Sequence, residues 1–184
     1  MFALQVLFWS PMVYRLARRK TPDTSFGDEL RTSHRIPGIV LYELGLGLMW
    51  AGLGVAFWGG RMDRHVTPQG LAGAGLHVAA TLLLTWAFVV HRSWNIQPRL
   101  EPDHQLCTTG PYGLVRHPIY LAFNLLALGA VVWVPNVPVA LGAVALIVGG
   151  ELRSRTEEHV LIAAFGDEYR RYMRRVRRAI PGVY

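Results

Sequence analysis

Two long apolar stretches constrain this 184-residue chain more than any other feature of its sequence. They run from Ile36 to Trp58 and from Leu71 to Val90, and their only charged residue is Glu43. A helix rises about 1.5 Å per residue, so about 20 apolar residues are enough to cross the hydrocarbon core of a bilayer. The sequence therefore predicts an integral membrane protein.

Three shorter apolar stretches run from Phe2 to Tyr14, from Ile119 to Val134 and from Val137 to Gly149. The last two are separated by Pro135-Asn136-Val137-Pro138, which is typical of a tight turn between helices. We therefore predict an all-α, polytopic membrane protein with about five transmembrane helices. The first stretch has neither a basic leader nor a small-residue cleavage site, so we expect it to be retained as the first span.

The basic residues are segregated as five spans require. Lys and Arg number 19, and all but Lys20 are Arg. All of them except Arg61 and Arg64 fall in the first loop, the third loop or the C-terminal tail, which share one face in a five-span chain. Because basic loops remain in the cytoplasm, we expect this face to be cytoplasmic and the N-terminus to lie outside. The excess of Arg over Lys favours a GC-rich bacterium and hence its inner membrane.

Several classes of protein and of binding site are excluded because the sequence motifs that they require are absent. The basic charge is not accompanied by a nucleic-acid recognition module, so we expect no nucleic-acid partner. The single cysteine, Cys107, cannot form an intrachain disulfide or a thiolate zinc cluster. A dinucleotide-binding loop must follow a strand, whereas the glycines of the second stretch lie within an apolar helix. Close helix packing explains them better: Gly45, Gly47, Gly52 and Gly54.

Two polar residues lie inside predicted spans. Glu43 is on the cytoplasmic half of the second span, and such a carboxyl group is either functional or bonded to a neighbouring helix or to headgroups. We place Glu43 among the candidate catalytic residues, where it could orient an amine headgroup. His77 is better explained as a buried, hydrogen-bonded imidazole. The remaining histidines show no metal-ligand spacing, so we expect no metal.

The segment that enters the fourth span reads Gly110-Pro-Tyr-Gly-Leu-Val-Arg116-His117-Pro118-Ile-Tyr120. Pro118 suits the first turn of a helix and holds His117 in an extended conformation. The start of that helix, with its free N–H groups and Arg116 beside it, predicts an anion-binding corner at the cytoplasmic interface. A carboxylate is its natural ligand. Alternatively, Arg116 only anchors the loop to lipid phosphates.

A second polar cluster follows the fifth span. If it is helical, Arg153 and Glu157 form an i,i+4 pair and Gly166 ends the helix. A further helix then begins at Asp167 and carries apolar residues on one face and arginines around it, as in a cytoplasmic amphipathic tail on an anionic membrane surface. The adjacent carboxylates of Glu157 and Glu158 suit ribose hydroxyls or an ammonium group better than lipid.

Together the two segments, GPYGLVRHPIYLAF and RTEEHVLIAAFGDEYRRYMRRVRRAIP, resemble the isoprenylcysteine carboxyl methyltransferase and phospholipid methyltransferase superfamily. The resemblance covers about residues 91–181. It divides the chain into N-terminal transmembrane helices, 1–90, and a methyltransferase catalytic region, 91–184. This chain departs from the family pattern at Gly113, Ala122 and Arg177.

The resemblance implies S-adenosylmethionine as cofactor, bound on the cytoplasmic side, and a lipophilic substrate that enters from the bilayer. Arg116 and Arg155 would hold the methyl acceptor or the cofactor carboxylate. The residues implied in cofactor binding are Gly110, Tyr112, His117, Pro118, Tyr120, Glu157 and Glu158.

Three methyl acceptors remain open. A sulfonium methyl group is already activated, so an aligned nucleophile suffices. A carboxylate is ionised at neutral pH and needs no general base, whereas an amine or a thiol must lose a proton. The absence of an evident base favours a carboxylate or an easily ionised thiol. The resemblance implies carboxyl methylation of an isoprenylcysteine-like substrate, with N-methylation of a phospholipid amine and S-methylation of a small thiol as alternatives. A non-catalytic transport or regulatory protein on the same scaffold is the alternative of another class.

Overall fold

The computed structural model describes residues 6–10, 13–14, 36–59, 67–91, 106–180 and 182–183. Most of the predicted first span and the basic residues from Arg15 to Arg35 lie outside these ranges, as do Arg61, Arg64, Arg92 and Arg99. Residues 6–10 and 13–14 are helical. A short 3-10 helix covers Gly110–Gly113, and the α-helices are α1 (Ile36–Trp58), α2 (Pro68–Val90), α3 (Pro118–Trp133), α4 (Val137–Phe165) and α5 (Asp167–Arg175).

The all-α, polytopic membrane architecture is confirmed. Helices α1, α2 and α4 are each long and apolar enough to cross a membrane, whereas the apolar helix α3 has 16 residues. The described ranges contain no β-strand, only one isolated bridge between Val115 and Arg177. Helix α1 packs against α4, α2 packs against α3, and α3 packs against α4. The helices before residue 90 therefore pack against the helices that follow it.

Helix α4 is longer than its apolar stretch. The sequence placed the end of this stretch at Gly149, but the helix continues to Phe165 and has 29 residues. Gly149 and Gly150 are buried within it and do not interrupt its hydrogen bonds, so α4 continues beyond its apolar part as a polar helix. It ends where predicted: Gly166 adopts φ 53°, and its N–H group donates to the carbonyl of Ile162. Helix α5 begins at Asp167, also as predicted.

Glycines allow α1 and α4 to approach closely. A Cβ atom at Gly45 would lie 2.4 Å from the Leu146 nitrogen, and one at Gly142 would lie 2.6 Å from the Met49 nitrogen. The prediction of close packing is confirmed for Gly45 and for Gly52, where a Cβ atom would lie 2.7 Å from Cγ2 of Val139. It is wrong for Gly47, which faces open space, and for Gly54, which approaches only Trp58 on its own helix. Only one face of α1 can meet α4, and the alternate glycines turn away from it.

His77 lies in the contact between α2 and α3. It is fully buried, and its Nδ1 donates to the carbonyl of Gly73 at 2.8 Å. A Cβ atom at Gly129 of α3 would lie 2.6 Å from the same nitrogen, and the Trp133 ring meets the imidazole edge to face at 5.7 Å. These contacts confirm the structural interpretation of His77.

The turn between α3 and α4 is the predicted one. Residues 134–136 connect the two helices, and Asn136 caps α4 by accepting a hydrogen bond from the Val139 N–H at 2.9 Å. The Asn136 side chain also donates to the carbonyl of Gly52 at 3.1 Å. One side chain therefore fixes both the start of α4 and its position against α1.

Helix α5 packs against the protein rather than with its apolar face on the bilayer. Tyr169 and Tyr172 are buried, and the Tyr172 hydroxyl donates to the carbonyl of Tyr112 at 2.6 Å. Burial raises the pKa of both phenols, so the Tyr172 hydroxyl stays protonated and donates this hydrogen bond. The periodicity of the tail was predicted correctly, but its tyrosine face is already covered by the 3-10 segment and its surroundings. Its arginines remain exposed at positions 170, 171, 174, 175 and 177.

Candidate active site

The start of α3 brings His117 to the centre of the site. Pro118 occupies the first turn, as predicted, and His117 is the N-terminal cap residue with φ −124° and ψ 63°. Both residues are buried. Because a proline restricts the residue before it, His117 cannot continue the helix and turns towards α4 instead.

Two glutamates of α4 meet this helix start. Nε2 of His117 donates to Oε1 of Glu158 at 3.3 Å, and Nδ1 lies 3.7 Å from Oε2 of Glu157. One turn into α3, the Tyr120 hydroxyl donates to Oε1 of Glu157. The two polar segments identified in the sequence are thus adjacent in space, although about 40 residues separate them.

Glu158 is the most heavily bonded carboxylate of this cluster, and its side chain is 5% exposed. Its Oε1 accepts from Nε of Arg116 at 2.9 Å and from Nε of Arg178 at 3.1 Å, in addition to His117. Its Oε2 accepts from Nη2 of Arg178 at 2.6 Å. Two guanidinium groups therefore stabilise its ionised form and compensate for the cost of burying a charge.

Arg116 is held by the protein itself. Besides Glu158, it donates through Nη1 to the carbonyls of Val176 at 2.6 Å and Met173 at 3.2 Å, and its side chain is 9% exposed. Met173 and Val176 lie at the end of α5, where helix carbonyls lack intrahelical partners. The sequence predicts that Arg116 holds an anionic group of the acceptor or cofactor. The anion that it contacts in this structure is Glu158.

Glu157 differs from Glu158 in its surroundings. Its side chain is 24% exposed, and the contacts described above are with neutral or titratable groups, Tyr120 and His117. A carboxylate accepts several hydrogen bonds, so Glu157 can receive further donors from a ligand.

Arg153 joins this cluster, although the sequence pointed to Arg155. Nε of Arg153 donates to the Tyr120 hydroxyl at 3.1 Å, and its guanidinium carbon lies 5.2 Å from the centre of the Tyr42 ring. Arg155 lies on the exposed side of α4, 57% exposed, and pairs with Glu151 one turn earlier at 2.7 Å. The i,i+4 spacing of Arg153 and Glu157 in the sequence is the signal that could have identified Arg153 as a site residue.

The other predicted site residues have their contacts elsewhere in the structure. Gly110 has φ 58°, and a Cβ atom there would lie 2.9 Å from Val90 of α2. The buried Tyr112 ring lies 5.3 Å from the His91 ring. Glu43 is exposed on α1, one residue from the buried Tyr42.

The tail contributes two contacts that the sequence did not indicate. Arg178 binds Glu158 through two nitrogens and also reaches Oε1 of Glu151 at 2.7 Å. Arg178 lies in a sequence rich in arginines, and no feature of that sequence distinguishes it from those that remain exposed. Within the described ranges, no group of three or more His, Cys, Asp or Glu side chains is placed to hold a metal ion.

The chain is similar to a family of methyltransferases. The model of the isoprenylcysteine carboxyl methyltransferase family matches residues 73–163, from the second turn of α2 almost to the end of α4. The matched region contains Arg116, His117, Tyr120, Glu157 and Glu158, but not the tail residue Arg178. It begins earlier than the segment from 91 to 181 that the sequence motifs indicated, so α2 belongs to the matched part.

Three curated relatives are similar to about half of the chain. The protein-S-isoprenylcysteine O-methyltransferase of Schizosaccharomyces pombe is 40% identical over 87 residues, which are 47% of this chain. Protein-S-isoprenylcysteine O-methyltransferase B of Arabidopsis thaliana is 37% identical over 90 residues, and the Homo sapiens protein-S-isoprenylcysteine O-methyltransferase is 36% identical over 90 residues. These matches span 37%, 45% and 31% of the lengths of the three relatives, respectively.

Proposed function

Because this chain belongs, through residues 73–163, to the isoprenylcysteine carboxyl methyltransferase superfamily, we propose that it is an S-adenosylmethionine-dependent methyltransferase. Its acceptor is lipophilic and reaches the site from the bilayer. The reaction is the carboxyl methylation of an isoprenylcysteine-like substrate. The multi-pass helices support an acceptor that is dissolved in the membrane.

The observation that carries this proposal is the convergence of His117 and Tyr120 with Glu157 and Glu158. S-adenosylmethionine carries a sulfonium centre, an ammonium group and ribose hydroxyls. The partly exposed carboxylate of Glu157 can accept hydrogen bonds from the ammonium and hydroxyl groups, so the acceptors of this cluster fit the cofactor. The bound cofactor would supply a methyl group that is already activated for displacement.

The residues of the cluster position the reactants. His117 and Tyr120 hold the carboxylates of Glu157 and Glu158 at the start of α3, where the N-terminal end of the helix favours an anion such as the cofactor carboxylate. Pro118 fixes that helix start, and Gly110 and Tyr112 shape the segment that precedes it. Positioning of this kind is the main requirement of a methyl displacement.

Arg153 supports a carboxylate acceptor. It lies on α4 just beyond the apolar part of the helix, where its guanidinium group is close to the rings of both Tyr42 and Tyr120. A guanidinium group binds a carboxylate through two parallel hydrogen bonds, and a carboxylate needs no general base. An amine acceptor would require proton removal, and the sequence suggested Glu43 of α1, which is exposed, only as a residue that could orient an amine headgroup.

We place this site on the cytoplasmic face of a bacterial inner membrane. The support is the distribution of basic residues, because the site lies between the third loop and the tail, which both carry arginines. Because the relatives described above are eukaryotic, the proposed bacterial compartment is supported by the charge pattern of this chain and not by those relatives.

The decisive test of the function is ligand binding followed by methyl transfer. S-adenosylhomocysteine should raise the unfolding temperature of the purified protein in detergent, because a ligand that binds only the folded state stabilises it. Methyl-labelled S-adenosylmethionine should then label farnesylcysteine, rather than phosphatidylethanolamine or a small alkyl thiol. Labelling of the amine or the thiol would show that the acceptor is not a carboxylate. A protein that neither binds S-adenosylhomocysteine nor transfers the methyl group would support the non-catalytic alternative.

The arginine pair of α4 tests the acceptor separately. Arg153→Lys should raise the apparent KM for farnesylcysteine about tenfold, because a point charge replaces a planar guanidinium group. Arg155→Lys is the matched control on the exposed side of the same helix and should leave this KM unchanged. A larger rise in this KM in Arg155→Lys than in Arg153→Lys would show that Arg155, the residue that the sequence suggested, binds the acceptor.

A further inference from the structure

The tail returns to the start of α3 after α5 ends. The Arg116 N–H donates to the carbonyl of Arg177 at 2.8 Å, and the His117 N–H donates to the carbonyl of Arg178 at 3.1 Å. A short parallel bridge between Val115 and Arg177 results. The two residues that precede α3, Arg116 and His117, are therefore held by backbone hydrogen bonds to a segment about 60 residues later in the chain.

We propose that Arg178 is a positioning residue that closes the cofactor site by fastening the tail to two carboxylates of α4. This inference rests on the proposed function for the identity of the ligand, whereas the fastening itself is a property of the fold. Helix α5 has only nine residues, so its stability depends on tertiary contacts, to which those of Arg178 add directly after the helix.

The contacts of Arg178 suit this role. Its Nε and Nη2 bind the two oxygens of Glu158 at 3.1 and 2.6 Å, and its Nη1 binds Glu151 at 2.7 Å. The arginine side chain is 17% exposed, and those of Glu158 and Glu151 are 5% and 28% exposed. A bidentate pair that is largely shielded from water is stronger and more directional than a surface ion pair.

Arg178 acts on the ligand site through Glu158. The same carboxylate accepts from Nε2 of His117 and from Arg116, so its position is set jointly by α3, α4 and the tail. Its chain neighbour is Glu157, the more exposed carboxylate that faces Tyr120. Removal of the Arg178 side chain would leave Glu158 with fewer donors and would free the tail carbonyls that bind the N–H groups of Arg116 and His117.

The test uses the full chain in detergent with three variants: Arg178→Gln, Arg178→Lys and, as a matched control on the exposed side of α5, Arg175→Gln. Amide hydrogen exchange at residues 116 and 117 reports whether the tail is fastened. The dissociation constant of S-adenosylhomocysteine and the separate kcat and KM for S-adenosylmethionine report whether the site is closed.

In Arg178→Gln we expect faster exchange at both amides and about tenfold weaker S-adenosylhomocysteine binding, the size expected for a lost charge-assisted hydrogen bond. The KM for S-adenosylmethionine should rise more than kcat falls, whereas a general loss of folded protein would lower kcat and leave KM unchanged. Arg178→Lys should restore part of the affinity, because a point charge can replace only one of the two parallel bonds. Arg175→Gln should match the unaltered protein.

Unchanged exchange and affinity in Arg178→Gln would overturn the inference, and so would an equal loss in Arg175→Gln, because a general effect of net charge would then suffice. If Arg178→Gln does not fold, Arg178→Lys decides by the same measurements. If the unaltered protein fails to bind S-adenosylhomocysteine, the proposed function is wrong. In that case the exchange at residues 116 and 117 still tests the fastening by itself.

Discussion

The hydroxyl group of Tyr120 on α3 donates a hydrogen bond to the carboxylate of Glu157 on α4, 37 residues further along the chain. This contact joins the two helices at the polar end of their apolar packing. Because Glu157 is 24% exposed and Glu158 only 5%, the two adjacent glutamates do not have the same surroundings. The sequence predicts that both contribute to cofactor affinity rather than to stability, and their contacts suggest a division between them.

Glu157→Gln should weaken the binding of S-adenosylhomocysteine by about 1 to 3 kcal/mol and change the unfolding temperature little. The loss removes the charge that a cationic or hydroxyl ligand group would meet, while most packing contacts of the side chain remain. Calorimetric binding and thermal unfolding in detergent measure the two effects. Glu168→Gln, on the exposed side of α5, is the control for a lost negative charge. Equal affinities in all three proteins would assign Glu157 to surface electrostatics.

Glu158→Gln should lower stability as well as affinity. The substitution removes the Glu158 carboxylate from the guanidinium groups of Arg116 and Arg178 in a largely buried place, where Arg178 keeps its contact with Glu151. Breaking a buried ion pair by removing one partner costs about 3 to 5 kcal/mol, and partial exposure of Arg178 reduces this amount. Thermal unfolding without ligand measures it. A variant that loses only ligand affinity would place Glu158 with Glu157 as a ligand contact.

Local chemistry explains why the helix ends near the site could be predicted. Pro118 and Gly166 act on their own neighbours: one lacks an N–H group and restricts His117, and the other adopts φ 53° at the end of α4. Such effects need no knowledge of the fold. The meeting of the two polar segments was expected from a resemblance, and no local rule required it.

Long-range pairing explains what the sequence could not indicate. Arg178 lies among arginines of the same kind, and only the return of the tail to residues 115–117 selects it for Glu158. The choice of Arg153 over Arg155 depends on the face of α4 that meets α3. The apolar stretch ends near Gly149 because hydropathy falls at Glu151, whereas the backbone hydrogen bonding of α4 continues to Phe165, just before the predicted stop at Gly166.

Gly45→Ala should destabilise the protein by about 1 to 3 kcal/mol, because its Cβ atom would lie 2.4 Å from the backbone of Leu146 and the two helices would have to separate. Gly47→Ala, two residues away on the same helix, has nothing within 4 Å of its Cβ atom and should be neutral or slightly stabilising. Thermal unfolding in detergent compares the two variants. Equal unfolding temperatures would show that α1 and α4 are not closely packed at Gly45.

Cys107 should be protected from an impermeant thiol reagent that is added outside intact cells, because the third loop is expected in the cytoplasm. The cysteine is partly exposed, so the same reagent should label it after the cells are permeabilised. Mass spectrometry of the purified protein measures the labelled fraction in both conditions. Labelling in intact cells would reverse the topology that the basic residues predict.

Arg116→Lys should lower turnover, because a single ammonium group cannot reproduce the separate bonds that the guanidinium group makes to Glu158 and to the carbonyls of Met173 and Val176. The sequence predicts that Arg116 holds an anionic group of the acceptor or cofactor. Its contacts in the structure favour an effect on the cofactor side, through Glu158. We therefore expect the apparent KM for S-adenosylmethionine to rise about tenfold, the effect of one lost charge-assisted hydrogen bond.

Initial rates measured against S-adenosylmethionine and against the acceptor separately distinguish the possible roles of Arg116. A loss confined to the KM for the acceptor would make Arg116 a substrate clamp, as the sequence allows. A loss confined to the KM for S-adenosylmethionine would place it with the cofactor site and its tail contacts. A headgroup anchor needs only positive charge and would tolerate lysine, so wild-type rates in Arg116→Lys would contradict both roles and leave Arg116 as an anchor to lipid phosphates.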